Sequence, residues 1–291
     1  MSISRHPVAL RLEQQVGGAT RLLATVMLLP LIDGLFPALV LAGTLDSVVG
    51  IFQIGLLVFG GSATLAVIVA EMDRDPWNQA VSVLVVGIPL VVLAGIEAAI
   101  APTIASLVNI VVFERFAAIV VVAIAAKTAS ATIGEYLPRP SVIIGLGAIA
   151  SLDPAGFSVA ITTSTDLVLR AVASGVVGVG FALGVVALRP VMEGVIDLDR
   201  FRFGCAVALG TLALSIVGIV PGVAPLGVFG IAGMLAFDPS TESIPGEDSV
   251  PFTATADGGT EDPAPNHDTE DSGSEHAQFA DGPTEERVPW L

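Results

Sequence analysis

Asp33 and Asp153 are acids set inside long apolar runs. Asp33 lies in Leu29-Pro30-Leu31-Ile32-Asp33-Gly34-Leu35-Phe36-Pro37, and Asp153 in Ala150-Ser151-Leu152-Asp153-Pro154-Ala155-Gly156-Phe157. A carboxylate at the centre of a bilayer costs about 2.5–3.5 kcal/mol on insertion scales, so such an acid points to function by default. Prolines and glycines flank both acids, which places each at an interrupted helix. Unwound backbone at membrane depth must line a cavity or be buried in protein. Two readings follow. In one, Asp33 and Asp153 bind a proton or a cation together with the freed carbonyls. In the other, each acid is protonated or bonded to free N–H groups beside its break, and only fixes helix packing.

Glu97, in Gly95-Ile96-Glu97-Ala98, and the neighbours Glu114 and Arg115 are secondary polar candidates. A Glu97–Arg115 salt bridge across one short link is the expected structural role, because both side chains can reach the interface by snorkelling. Asp166 and Arg170 are read the same way. No enzyme constellation is present, and the chain is expected not to be an enzyme. His6, His267 and His276 lie outside the apolar runs. No metal site, cofactor site or basic aromatic patch for nucleic acid is expected.

The elements that position these residues are membrane helices. Hydrophobic residues make up 53% of the 291, charged residues 14%, and mean hydropathy is +0.84. A soluble domain carries about 25% charged residues; this chain cannot cover a water-facing surface with so few. A span needs about 20 largely apolar residues. Eight runs qualify: 22–42, 48–70, 79–101, 107–126, 141–163, 167–188, 203–220 and 222–237. The last two are short and joined by Pro221-Gly222, so they form either two spans or one re-entrant hairpin. The expected fold is therefore all-α, a polytopic transmembrane helical bundle of about eight spans over 22–237. Residues 1–21 form a cytoplasmic arm, either frayed or lying along the inner surface. The interrupted first run does not read as a cleavable signal.

With the N-terminus in the cytoplasm, nine Arg or Lys residues outside the tail fall inside and two, Arg115 and Arg170, fall outside. Arg/Lys bias in short loops sets orientation. An even span count places the tail inside as well; a re-entrant last hairpin would place it outside. Residues 238–291 hold 14 acids and one base, Arg287. A stretch so acidic and so poor in aromatics cannot bury enough surface to fold, and is expected to be disordered. One Lys against eleven Arg, with the acidic excess, looks like a protein of a salt-loving archaeon. Cys205 stands alone in an apolar run, which excludes a disulfide within the chain.

Several glycine patterns are read as close helix packing: Gly60-Gly61-Ser62, then Gly175, Gly178, Gly180 and Gly184. The G-x-x-x-G at 180–184 offers contact within the chain or a homo-oligomer face. Residues 142–150 fit a G-x-G-x-x-A dinucleotide pattern. That pattern needs a strand before it and a long helix after it, and Asp153-Pro154 would cut the helix short. A weak internal repeat pairs Asp33 with Asp153, 120 residues apart, as parallel halves. It conflicts with the likeness of Glu114-Arg115-Phe116 to Asp199-Arg200-Phe201, which open the fourth and seventh spans.

The segments Ser4-Arg5-His6-Pro7-Val8-Ala9-Leu10-Arg11-Leu12-Glu13, Leu31-Ile32-Asp33-Gly34-Leu35-Phe36-Pro37 and Phe59-Gly60-Gly61-Ser62-Ala63-Thr64 together resemble an uncharacterised family of haloarchaeal multi-pass membrane proteins. The resemblance covers residues 1–237 and implies a cell-membrane location, with no activity and no site residues. The expected function is a secondary transporter or permease for a small solute or ion. The alternative is a non-transporting membrane scaffold or partner-binding subunit.

Overall fold

The computed structural model describes residues 18–72, 75–152, 164–192 and 194–237. The chain divides into two units, Met1–Thr241 and Glu242–Leu291. Every helix among the described residues belongs to the first unit. Residues 1–17, Asp153 and the acidic tail from residue 238 lie outside the described residues.

Every named element among the described residues is helical. Helix α1 (Gly18–Ile32) is followed after a two-residue break by α2 (Leu35–Leu41). Two half-helices, α3 (Val48–Phe59) and α4 (Ser62–Glu71), meet at a bend of 49°. Then come α5 (Pro76–Ala105), α6 (Ile110–Ala129), the short α7 (Ala131–Tyr136) and α8 (Pro140–Ser151). The bundle ends with α9 (Thr165–Met192), α10 (Leu198–Ile216) and α11 (Ala224–Leu235).

Local chemistry sets the starts. Asp75 caps α5 by accepting from the Trp77 N–H, with Pro76 in the first turn. Asn109 caps α6 through the Val112 N–H, and Asp197 caps α10 through the N–H groups of Asp199 and Arg200. Each cap satisfies donors that the first helical turn leaves unpaired.

Three segments are long and apolar enough to cross a membrane: Gly18–Leu41, Pro76–Ala105 and Thr165–Met192. The bent pair α3–α4 makes a fourth if counted as one span. These match the expected runs 22–42, 79–101, 167–188 and 48–70. Helices α6 and α10 are 20 and 19 residues long, but both carry three charges near their ends: Glu114, Arg115 and Lys127 in one, Asp199, Arg200 and Arg202 in the other. Helices α8 and α11 are only 12 residues long, about 18 Å at 1.5 Å per residue.

The structure contains a repeat, and it is not the parallel one expected between Asp33 and Asp153. Helices α5, α6 and α8 recur as α9, α10 and α11. The first two pairs of helices superpose in sequence at a spacing of 88 residues, as in Gly87/Gly175, Pro102/Pro190 and Phe113/Phe201. Seven of the eight buried residues of α9 have a buried counterpart in α5 at this spacing. Six of the seven in α10 have one in α6. The short helices repeat at a spacing of 85, with Pro140/Pro225 and Gly145/Gly230.

Tertiary detail repeats too. The Asn109 N–H donates to the Ser151 carbonyl (2.6 Å), and Val108 pairs with Leu152. The Asp197 N–H donates to the Ala236 carbonyl (2.9 Å), and Ile196 pairs with Phe237. Gly147 lies on Phe116 in the first hairpin; at the corresponding positions of the second, Ala232 lies on Gly204, with large and small residues exchanged.

The two repeats face each other antiparallel. Gly87 of α5 meets Val179 of α9, and Gly175 of α9 meets Val91 of α5. Shifting one contact by 88 residues produces the other. That is the signature of an isologous, two-fold interface, here formed within one chain. The likeness of Glu114-Arg115-Phe116 to Asp199-Arg200-Phe201 falls on equivalent helices after all, three residues out of the structural register, in which Phe113 matches Phe201.

The remaining spans attach one to each repeat. The first lies along α5, where the Thr20 hydroxyl donates to Ser82 (3.0 Å). The second lies along α9.

A candidate site at two facing helix breaks

The first break follows from Pro30, Gly34 and Pro37. Helix α1 stops at Ile32, the Asp33 N–H still donates to Leu29 O (2.8 Å), and the Gly34 N–H closes on Leu31 O (3.0 Å). Gly34 has φ +78°, a left-handed conformation that glycine adopts without a Cβ penalty. Asp33 is half-buried at this turn. The basic side chains whose charge reaches it are Lys127 and Arg139. Ile144 of α8 lies beside Gly34.

The second break is at Gly60-Gly61. Two consecutive glycines are poor helix formers, at roughly 1 kcal/mol each relative to alanine. Residues Ile54–Phe59 before the break and Val67–Glu71 after the next turn are wound as π-helix. Such segments are rare and occur often at functional sites. The Thr64 hydroxyl donates to the Phe59 carbonyl (2.9 Å), answering one acceptor exposed by the break. The Ser62 backbone N–H points at the sulfur of Cys205 on α10. Gln53, one and a half turns earlier, donates its side-chain amide to the Gly222 carbonyl in the loop before α11. Gln53, Ser62 and Thr64 are all buried, with Thr64 only 1% exposed.

The two breaks are joined by aromatic packing. The rings of Phe36 and Phe59 lie 5.3 Å apart, and these residues stand three after Asp33 and one before Gly60. A Cβ on Gly55 would come within 2.5 Å of Val177, and one on Gly178 within 2.6 Å of Phe59. Small residues thus bring α3 and α9 almost to backbone contact.

Two arginines of α9 fix the ends of the second span. Arg170 donates to Leu45 O (3.2 Å) and pairs with Asp166 at 2.8 Å and Asp46 at 3.9 Å. At the other end, the buried Arg189 donates to Val69 O (3.0 Å) and Met72 O (3.1 Å). A cation on the last carbonyls of a helix complements its dipole. The second span and α9 are therefore tied at both ends and packed tightly between.

Chemically, the break between α3 and α4 offers the last carbonyls of one half-helix and the first N–H groups of the next, inside the bundle. The side chains around it are neutral. It can hold a small polar or ionic ligand through backbone dipoles, as discontinuous helices do.

The sequence-derived candidates fall in different places. Asp33 sits at the first break. Asp153 lies outside the described residues; α8 ends at Ser151, and Leu152 is held against the start of α6 at one end of the bundle. The expected Glu97–Arg115 pair is absent. Arg115 is exposed, Glu114 is half-buried, and Glu97 Oε2 is buried without a hydrogen-bond partner among the described residues. The Asp166–Arg170 pair is present. Among the described residues no group of three or more His, Cys, Asp or Glu could hold a metal ion.

The glycines divide by role. Gly60-Gly61 breaks the helix, and Gly60 also packs closely on Phe181 of α9, as Gly175 and Gly178 do on Val91 and Phe59. Gly180 and Gly184 have open space where a Cβ would stand, so that motif mediates no close contact among the described residues. Gly147 packs on Phe116, in a helix entered from Arg139-Pro140 and not from a strand.

Sequence reading missed Gln53, Thr64 and Arg189. Polar residues of neutral type in an apolar run were the available signal for the first two.

Residues 90–217 match a family described as a family of unknown function (DUF5794). The match runs from within α5 to just past the end of α10 and so covers parts of both repeats. No curated protein and no solved structure matches the chain.

Proposed function

We propose that the chain is a membrane carrier, a secondary transporter or permease for a small solute or ion. One observation carries this reading: two antiparallel repeats with the signature of a two-fold relation are accompanied by a second span that packs on the second repeat and is broken inside the bundle at Gly60-Gly61. Inverted repeats with discontinuous helices at their interface are the architecture of alternating access, in which one bundle rocks against the other around a fixed site.

On this reading all eight apolar segments lie in the membrane, with α8 and α11 penetrating part of the way. The N-terminus and the links at 127–140 and 189–202 face the cytoplasm, following the Arg/Lys bias. The acidic tail faces the same side. The ligand sits between the breaks, on freed backbone groups of residues 56–64, with Asp33 as the nearby carboxylate.

The test is a flux screen of ions and small polar solutes with the purified full chain in liposomes. A saturable flux above that of empty vesicles supports the carrier. Alternating access adds a second readout. A cysteine at Ser62, in a Cys205→Ser background, should react with an impermeant thiol reagent added from either side. Folded protein with no flux and no labelling at Ser62→Cys from either side would favour the scaffold reading.

A further inference from the structure

Among the buried residues of α9, one lacks a buried counterpart in α5 at a spacing of 88 residues: Val185, whose counterpart is the half-buried Glu97. Every other buried position of α9 has a buried partner there. The mismatch puts a carboxyl group where the other repeat keeps an aliphatic one.

The surroundings of Glu97 do not answer its charge. Among the described residues its Oε2 is buried and accepts no hydrogen bond. Helices α1, α2 and α9 pack against α5. Their charged groups are Arg21 on α1, Asp166, Arg170 and Arg189 on α9, and Asp33 between α1 and α2. Arg170 is held by Asp166, Asp46 and Leu45 O, and Arg189 by Val69 O and Met72 O. Arg21 is exposed. None of them forms an ion pair with Glu97.

We propose that Glu97 is a proton-binding site, and that it is the residue through which proton movement is coupled to the carrier. A buried carboxylate oxygen without a donor is costly, and taking up a proton removes its charge. A metal cation would need several further oxygen ligands, and no acidic cluster stands there among the described residues. In the reaction the carboxylate accepts one proton from water on one side, forming the neutral acid, and returns it to water on the other. The proton site is independent of the carrier reading; the coupling rests on it.

The experiment is infrared difference spectroscopy of the purified full chain in detergent across a pH titration, with Glu97→Gln, Glu97→Asp and Glu97→Val. Glu97→Val installs the residue of the other repeat, so it tests whether the site folds without the acid. The proposal expects a carboxylic C=O band that titrates in the wild type, disappears in Glu97→Gln and Glu97→Val with unchanged helical content, and returns shifted in Glu97→Asp. A wild-type spectrum without any band that Glu97→Gln removes overturns it. So does a band that sodium displaces at constant pH, which would make the ligand a metal cation. In liposomes, proton flux read by a trapped pH-sensitive dye should fall to the empty-vesicle level in Glu97→Gln. The band present with no flux of any solute or proton would support the proton site and remove the carrier reading.

Discussion

Gly87 lies so close to Val179 that a Cβ at Gly87 would stand 2.6 Å from Val179 Cγ2. Its two-fold image, Gly175 against Val91, has the corresponding distance of 3.1 Å. Both glycines are required by the close approach of the two long helices, and neither has an unusual φ. Because the interface is self-complementary, any change on one side has an equivalent on the other, and equivalent changes should cost similar amounts.

Gly87→Val and Gly175→Val should each destabilise the bundle by about 1–3 kcal/mol, the usual range for overpacking. Adding Val179→Ala to Gly87→Val, or Val91→Ala to Gly175→Val, should restore part of the loss. Thermal unfolding of the four variants in detergent measures this. Rescue in one pair and none in the other would contradict the two-fold relation.

Arg189→Gln should loosen the end of α4. Hydrogen bonds to charged groups contribute about 1.5–3 kcal/mol, and Arg189 gives its guanidinium to two carbonyls. Arg189→Lys should rescue poorly, since an ammonium lacks the planar fork. Hydrogen exchange at residues 67–72 should accelerate in both variants, whereas unchanged exchange there would show that the cap is not what holds α4.

Thr64→Val keeps shape but removes the hydroxyl that donates to Phe59 O. The carbonyl is left buried and unsatisfied, at a cost of about 1–3 kcal/mol. The expected result is a lower melting temperature together with an altered apparent affinity for any transported solute. A change in stability alone would make Thr64 a support of the break and not a part of the ligand site.

Asp33→Asn retains size and hydrogen-bonding capacity at the first break and removes the charge. If Asp33 serves the ligand, flux should be abolished while the melting temperature stays near that of the wild type. Should the acid only tie down the turn at Gly34, stability will fall and flux will persist.

Orientation can be read by cysteine labelling in a Cys205→Ser background. An impermeant reagent added outside intact cells should modify Ser47→Cys, in the link between the first two spans, and spare Gly194→Cys, in the link between α9 and α10. The reverse pattern would invert the topology.

The sequence by itself determined that this is an apolar helical chain, that Pro and Gly interrupt the helix at Asp33, and that a helix must stop before Asp153-Pro154. Those follow from composition and backbone chemistry, which act locally. Tertiary structure decided which glycines pack and which face open space, because Gly60, Gly175 and Gly180 look alike until a neighbouring helix is in place. It also decided the repeat. Residues facing lipid are as apolar as residues facing another helix, so hydrophobic periodicity carries little information about which face is buried. What the two repeats share is the size of side chain tolerated at each buried position, and only the packed contacts of Gly87 with Val179 and Gly175 with Val91 make that visible.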